Sequence, residues 1–147
     1  YAIFCFDVNN LKTMNDTFGH MVGDVLIKNA AAVIAETFGE NGIVARVGGD
    51  EFMAVLGHCS AAQAAALAEK FRTNLDWRNK ETSEEPISIA CGYATAPEIT
   101  ALKAPAKKDT PRGAAAPQTD IEKVYQLADD RMYENKKAIK AAAAPFP

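Results

Sequence analysis

The 147-residue chain has few cysteines, no excess of positive charge and no long apolar run. Its three cysteines, Cys5, Cys59 and Cys91, are an odd number and lack the close paired spacing of a zinc site or a disulfide framework. We therefore expect buried, reduced thiols, which favours a reducing, cytoplasmic setting.

The charge balance argues against nucleic acid and anionic membranes as partners. The formal net charge is −3, from 16 basic and 19 acidic side chains, so the chain has no overall basic footprint for nucleic acid or an anionic membrane. No apolar run approaches the roughly 18 residues of a membrane span. We expect neither nucleic acid nor a membrane as a direct partner, and a polyanionic ligand would need a local site.

The length fits one domain over residues 1–147, with a single core. Residues 1–6 are an apolar run that resembles the interior of a strand, so we expect the natural protein to begin upstream, with its N-terminal segment truncated here. From residue 97 to residue 118 the composition changes to Ala, Pro and Lys. That change favours a flexible surface insertion.

The apolar spacing predicts an alternation of strands and helices. Strands are predicted at residues 1–6, 43–47, 52–56 and 87–94. Three helices are predicted. The first covers residues 24–38, the second begins after Ser60 as its N-cap, and the third runs from the Thr119–Glu122 capping box to residue 139. This order predicts an α/β (α+β) sandwich, in which a central mixed sheet contains an antiparallel hairpin and carries helices on both faces. The pair Gly48 and Gly49 is predicted to supply the positive φ angles of the hairpin turn, and Asp24 is a candidate N-cap of its helix.

The segment RVGGDEF at residues 46–52 displays two adjacent acids behind two glycines. If the hairpin lies beside the first strand, Asp7 and Asp50 come from neighbouring strands and can share divalent cations. Because Mg²⁺ prefers a few carboxylates together with phosphate oxygens, the pattern indicates a metal and nucleotide site. The alternative is a polar hairpin tip without a ligand.

A second cluster, NDTFGH at residues 15–20 followed by Gly23 and Asp24, resembles the nucleotide-binding segment of the GGDEF family of diguanylate cyclases. Residues 48–52 match the name motif of that family at every letter. The resemblance covers residues 7–53, 87–94 and 128–140. It implies a palm-like nucleotidyl-cyclase fold and the condensation of two GTP molecules into cyclic di-GMP and pyrophosphate.

Carried over residue by residue, the resemblance assigns metal ligation to Asp7, Asp50 and the Val8 carbonyl. Glu51 is a further candidate ligand, and two Mg²⁺ or Mn²⁺ ions per active site are implied. The implied catalytic set is Asp7, Lys12, Arg46, Asp50 and Glu51.

The implied substrate-binding residues are Asn10, Asn15, Asp24, Gly48, Gly49, Lys136 and Lys140. Asn15 and Asp24 occupy the guanine-reading positions, where a carboxylate accepts the two donors of the guanine edge. Adenine lacks that pair of donors, so GTP is the expected nucleotide. Lys136 and Lys140 are four residues apart on one helix and are expected to face the same anion.

Partners follow from the same resemblance. Since each domain would hold one GTP, cyclisation is expected to need a homodimer with twofold symmetry. An upstream sensor domain is expected in the full-length protein. The implied location is cytoplasmic, either as a free protein or as the cytoplasmic part of a membrane-anchored receptor.

Several positions depart from the family pattern. The family's Asp-x-Asp-x-Phe becomes Asp7 followed by Asn9 and Leu11, and Lys140 replaces a common arginine. Gly39 and Gly42 occupy the positions of the family's Arg-x-x-Asp inhibition motif, so we expect no product inhibition through that site. Three interpretations remain open: an active cyclase, a weak or inactive GTP-binding regulatory module, and an interaction domain.

Overall fold

A computed structural model describes residues 1–82, 85–102 and 120–143. The elements, numbered in chain order, are β1 (Ala2–Val8), α1 (Leu11–Phe18), α2 (His20–Phe38), β2 (Ile43–Arg46), β3 (Glu51–Leu56), α3 (Ala61–Glu81), β4 (Ile89–Thr95), α4 (Ala96–Leu102) and α5 (Asp120–Ala143). Within these ranges, none of the helices combines the length and the apolar character that a membrane-spanning segment needs.

The four strands form one sheet in the order β2-β3-β1-β4. The predicted sandwich with helices on both faces is confirmed. The sheet itself differs from the mixed sheet that we predicted, because every strand pair within the described residues is antiparallel. Strand β1 lies between β3 and β4, so both its edges are hydrogen-bonded.

Strand β1 is buried on both faces, which explains its uninterrupted apolar sequence. Phe4 and Phe6 pack in one cluster with α2 and α3, and both rings contact Phe38. Ile3 and Cys5 point to the other face, where they join a cluster with α4 and α5. Strand β1 therefore contributes side chains to the hydrophobic clusters on both faces of the sheet.

The polar stretch after β1 forms a helix that the apolar spacing did not reveal. Leu11 and Met14 lie on one face of α1 and pack against the core, but they are only partly buried, and no residue of α1 is fully buried. Gly19, with a φ of 91°, separates α1 from α2, and α2 begins at His20 rather than at residue 24. The interpretation of Asp24 as an N-cap is therefore wrong, because Asp24 lies inside α2.

Helix α3 begins as predicted. The Ser60 hydroxyl accepts a hydrogen bond from the Gln63 amide, and the Gln63 side chain accepts one from the Ser60 amide. The strand predicted at residues 87–94 is observed as β4, which begins two residues later. Ile87 is held instead by the Asn79 side chain, which accepts from its amide and donates to its carbonyl, each at 2.8 Å.

The predicted insertion at residues 97–118 begins too early. Residues 96–102 form α4, because Ile99 is buried against the α5 face of the sheet and Glu98 accepts hydrogen bonds from Thr95 and Arg131. Burial raises the pKa of Glu98, but those hydrogen bonds outweigh it and leave the pKa below its usual value. The rest of the predicted insertion, and Thr119 of the predicted capping box, lie outside the described residues.

Helix α5 is fixed on β4 by hydrogen bonds to the outer edge of that strand. Asn135 accepts from the Cys91 amide at 3.0 Å, and Arg131 donates to the Tyr93 carbonyl at 2.8 Å. The two backbones also approach closely, because a Cβ added at Gly92 would lie 2.0 Å from the Met132 nitrogen. Both features fix the rotation of α5 and its position along its axis.

Gly92→Ala should lower the free energy of unfolding by about 2 kcal/mol or more, because the added methyl meets helix backbone and α5 must move away. Urea denaturation measures the change. Gly57→Ala is the matched control, since a Cβ there meets nothing within 4 Å. It should stay within about 0.5 kcal/mol of the parent. Equal stability of the two variants would contradict the close packing of α5 on β4.

Candidate functional site

The end of β1 and the β2–β3 hairpin bring three of the predicted acids to one edge of the sheet. Asp7 lies directly opposite Glu51 in the antiparallel register, so the two side chains share a face. The Val8 amide donates to the Asp50 carbonyl at 2.8 Å, which fixes the hairpin beside β1. Directly opposed residues have Cβ atoms about 5 Å apart, so Asp7 and Glu51 repel each other unless a cation is present.

Asp7 has one satisfied carboxylate oxygen and one that is not. Its side chain is 8% exposed, and Oδ2 accepts a hydrogen bond from Lys136 Nζ at 2.7 Å. Oδ1 is buried and makes no hydrogen bond with any described residue. Because an unpaired buried carboxylate oxygen costs free energy, the position is suited to a bound cation.

Two further oxygens next to Asp7 are also available. Asn9 is buried, and its amide nitrogen donates to Ser88 Oγ at 3.0 Å, yet its Oδ1 has no partner among the described residues. The Val8 carbonyl, between Asp7 and Asn9 in the chain, lies at the same strand end. Sequence reasoning treated Asn9 only as a lost acid and missed its available carbonyl oxygen, which becomes visible once burial is known.

These oxygens fit a hard divalent cation. Carboxylate and carbonyl oxygens are the donors that Mg²⁺ and Mn²⁺ prefer, and Mg²⁺ in particular keeps positions for water and phosphate. The described residues contain no group of three or more His, Cys, Asp or Glu side chains that could hold a metal by themselves. The protein therefore offers a partial coordination shell that a phosphate ligand would complete.

The hairpin turn differs from the predicted one. Neither Gly48 nor Gly49 has a φ in the left-handed region, so the positive-φ turn that we predicted is wrong. A Cβ at Gly48 would lie 2.7 Å from Glu51 Oε2, whereas Gly49 has open space around it. Gly49 leaves the backbone accessible at the tip, where a ligand can approach it closely.

Arg46 stabilises this turn. Its guanidinium donates to the Gly49 carbonyl at 2.6 Å and to the Gly48 carbonyl at 3.2 Å. The side chain is exposed and bonded to the turn, and it makes no ion pair with a described acid. In this arrangement Arg46 orients the loop that precedes Asp50.

The predicted base-reading residues lie on α1 and α2, which pack against each other. Asn15 Oδ1 is buried and has no partner among the described residues. A Cβ at Gly23 would lie 1.8 Å from that oxygen, so the absence of a side chain at Gly23 makes the space for Asn15. Asp24 is the next residue on α2 and is exposed. A glycine inside a helix was the sequence signal for this contact.

The basic residues are less closely assembled than the acids. Lys136 is the predicted lysine that contacts the acids. Lys12 on α1 and Lys140 on α5 are exposed, and neither has an ion pair within the described residues. Asn10 is exposed and takes the left-handed conformation at the start of α1, with a φ of 67°. The structure does not bring Asn10, Lys12 or Lys140 into contact with the acids.

Cys5 lies in the core on the α5 face of the sheet, close to the hairpin acids. Burial, together with the charges of Asp129 and Glu51, raises the pKa of the Cys5 thiol to about 12. All three cysteines are free thiols, as the sequence predicted. Cys5 is therefore a neutral core residue beside the site rather than a ligand.

Comparison with protein families identifies a matching model. Residues 1–107 match the family described as "Diguanylate cyclase, GGDEF domain". The match includes α1, α2, the hairpin and both strands that flank Asp7.

Individual proteins agree with this match. The chain is 31% identical over 140 residues to the probable diguanylate cyclase DgcT of Escherichia coli, covering 93% of this chain and 27% of the relative. It is 35% identical to diguanylate cyclase A of Treponema denticola, covering 92% of this chain and 32% of that protein. The chain thus spans about a third of the length of these relatives or less.

Solved structures give the same fold. The GGDEF domain of YfiN (TpbB) from Pseudomonas aeruginosa superimposes with a TM-score of 0.69 at 26% identity, over 93% of this chain and 76% of that one. The palm-like fold that the sequence resemblance implied is confirmed.

Proposed function

Because this chain belongs to the GGDEF family of diguanylate cyclase domains, we propose that it joins two GTP molecules into cyclic di-GMP and releases pyrophosphate. The observation that carries the proposal is the buried Asp7 carboxylate. One of its oxygens has no hydrogen-bond partner in the described part of the chain, and Asp7 lies opposite Glu51 in the strand pair. The Lys136 pair satisfies only one oxygen of Asp7, whereas a metal–triphosphate complex uses carboxylate oxygens of this kind as ligands.

In each half-reaction the 3'-hydroxyl of one GTP attacks the α-phosphorus of the other, and the bond to the β-phosphate breaks. Two Mg²⁺ or Mn²⁺ ions would be held by Asp7, Asp50, Glu51 and the Val8 carbonyl. Bound there, they supply Lewis-acid stabilisation of the charge that develops on the phosphate oxygens. The exposed Glu51 carboxylate can accept the hydroxyl proton. Arg46 holds the Gly48–Gly49 turn against the phosphates.

Base selectivity would come from Asn15 and Asp24. The buried Asn15 Oδ1 can accept a hydrogen bond from the guanine N1 and N2 edge, and Asp24 can accept a second one. Adenine presents no such pair of donors at that edge. This difference favours GTP over ATP as the substrate.

Turnover would need two domains, because each holds one GTP and the product joins both. We expect a homodimer with twofold symmetry, in which two hairpin tips face each other. Since the chain covers about a third or less of its relatives, an upstream sensor domain in a cytoplasmic or membrane-anchored protein would control that pairing.

A GTP-binding regulatory module is the second candidate. It is favoured by Asn9, which replaces the second acid of the family pattern, and by the absence of a preformed three-acid cluster in the described residues. Such a module would bind the nucleotide through Asn15 and Asp24 without condensing it. An activity measurement separates the two candidates.

Asp50→Ala should reduce cyclic di-GMP formation by at least about a hundredfold, the scale seen when a group that stabilises developing charge is lost. The assay incubates the domain at high concentration with GTP and Mg²⁺ and separates cyclic di-GMP and pyrophosphate by chromatography. Asp130→Ala is the control, because Asp130 is exposed on α5 and bonded to Gln126. Metal-dependent GTP binding without product in the parent would favour the regulatory module. Equal turnover in parent and Asp50→Ala would refute the metal site.

Gly23→Ala should raise the KM for GTP by up to about tenfold, which is the worth of one hydrogen bond, because the methyl displaces the Asn15 amide. The preference for GTP over ATP should fall by a similar factor while the far-ultraviolet circular dichroism stays unchanged. Gly57→Ala serves as the control for a glycine in open space. An unchanged KM and base preference would show that Asn15 does not read guanine.

Added cyclic di-GMP should inhibit only by competing with GTP. Position 42 cannot hold the acid of the family's inhibition motif, because a Cβ at Gly42 would lie 2.3 Å from the Val55 carbonyl oxygen. Initial rates at several GTP concentrations, with and without product, test this. Inhibition that persists at saturating GTP would reveal a separate product site.

A further inference from the structure

Lys136 makes the closest contact between the basic and acidic parts of the site. Its ammonium lies 2.7 Å from Asp7 Oδ2, and the two side chains are 25% and 8% exposed. The pair joins residues 129 positions apart in the sequence. A buried carboxylate paired with an ammonium is protected from the cost of an uncompensated charge.

The position of Lys136 is fixed by the packing of its helix. The preceding residue, Asn135, is bonded to the Cys91 amide, and α5 meets the β4 backbone directly at Gly92. The neighbouring Lys137 pairs with Glu134 at 2.9 Å and lies over the Tyr133 ring, so its charge is engaged away from the acids. Lys136 is therefore the α5 lysine that is placed to neutralise Asp7.

We propose that Lys136 is a placeholder cation that occupies Asp7 when the site is empty and is transferred to the triphosphate when the metal–nucleotide complex binds. This inference rests on the proposed function. A divalent cation that binds the free Oδ1 would share one carboxylate with the ammonium on Oδ2 and repel it, so metal binding without nucleotide is expected to displace Lys136 from Asp7. A phosphate oxygen gives the displaced ammonium a new acceptor.

The consequence is thermodynamic coupling between metal and nucleotide. Metal alone binds weakly, because it must displace Lys136 without providing it with an acceptor. With GTP present the same displacement is compensated, so each ligand raises the affinity of the other by the same factor. Lys136 is thus a positioning residue that makes the site select the metal–nucleotide complex over free metal.

The test measures Mn²⁺ binding by electron paramagnetic resonance, with and without a GTP analogue that carries a methylene bridge between the α- and β-phosphorus. Lys136→Met keeps the apolar stem and removes the charge. It should bind Mn²⁺ alone at least about fivefold more tightly than the parent, and the coupling between Mn²⁺ and the analogue should fall by a similar factor. Lys137→Met, which removes the adjacent charge, should behave like the parent.

A second measurement uses the unaltered chain. The rate at which an amine-reactive acetylating reagent modifies Lys136, followed by mass spectrometry, should be low without ligands, higher with Mg²⁺ alone and low again with Mg²⁺ and the analogue. A rate that Mg²⁺ does not change would overturn the proposal even if Lys136→Met folds poorly.

The outcomes separate the two proposals. Asp7→Asn identifies the Mn²⁺ that is bound at this site. Asp7-dependent Mn²⁺ binding of equal or weaker affinity in Lys136→Met would overturn the placeholder role and leave the proposed function standing. Absence of Asp7-dependent binding in the parent, with and without the analogue, would overturn both.

Discussion

Strand β1 is covered on both faces along its length, and this burial determines the chemistry at its end. The strand carries Phe4 and Phe6 into one core layer and Ile3 and Cys5 into the other. It cannot shift by one residue without exchanging the two sets. Asp7 is therefore held in a desolvated position, where its carboxylate must be matched by positive charge. Lys136 provides that charge in the structure, and in our proposal a metal ion would replace it.

The same constraint places the second acid. Because β1 pairs with β3 in a fixed register, the residue opposite Asp7 is Glu51. The turn before Glu51 needs small residues for reasons of space, since Gly48 leaves room for the Glu51 side chain and Gly49 leaves the backbone open. Arg46 then fixes the turn through two carbonyls. The site is thus assembled from backbone pairing, and few side-chain contacts are needed to hold the acids in place.

Sequence patterns predicted much of this arrangement. The continuous apolar run predicted a central strand that ends at Asp7. The two glycines followed by two acids predicted the hairpin. Helix α1 was missed, although Leu11, Met14 and Phe18 are spaced as on one helix face, because the surrounding stretch is polar and short. The wholly antiparallel sheet and the start of α4 depend on tertiary pairing and on the burial of Ile99, which local composition does not record. The side-chain oxygens of Asp7, Asn9 and Asn15 that find no partner among the described residues are likewise recognisable only when burial is known.

These partnerless oxygens also explain why a site of this kind is conditional on its ligand. Each buried acceptor without a donor lowers the stability of the protein alone, and the opposed Asp7 and Glu51 charges add to that cost. The core that surrounds β1 tolerates the cost because it is well packed on both faces. In the function that we propose, a cation and a guanine edge would satisfy the same atoms, so the free energy lost in the protein alone would be recovered as affinity for the ligand. A site assembled in this way favours the complete set of ligands over any one of them, because each ligand satisfies only part of the unpaired set.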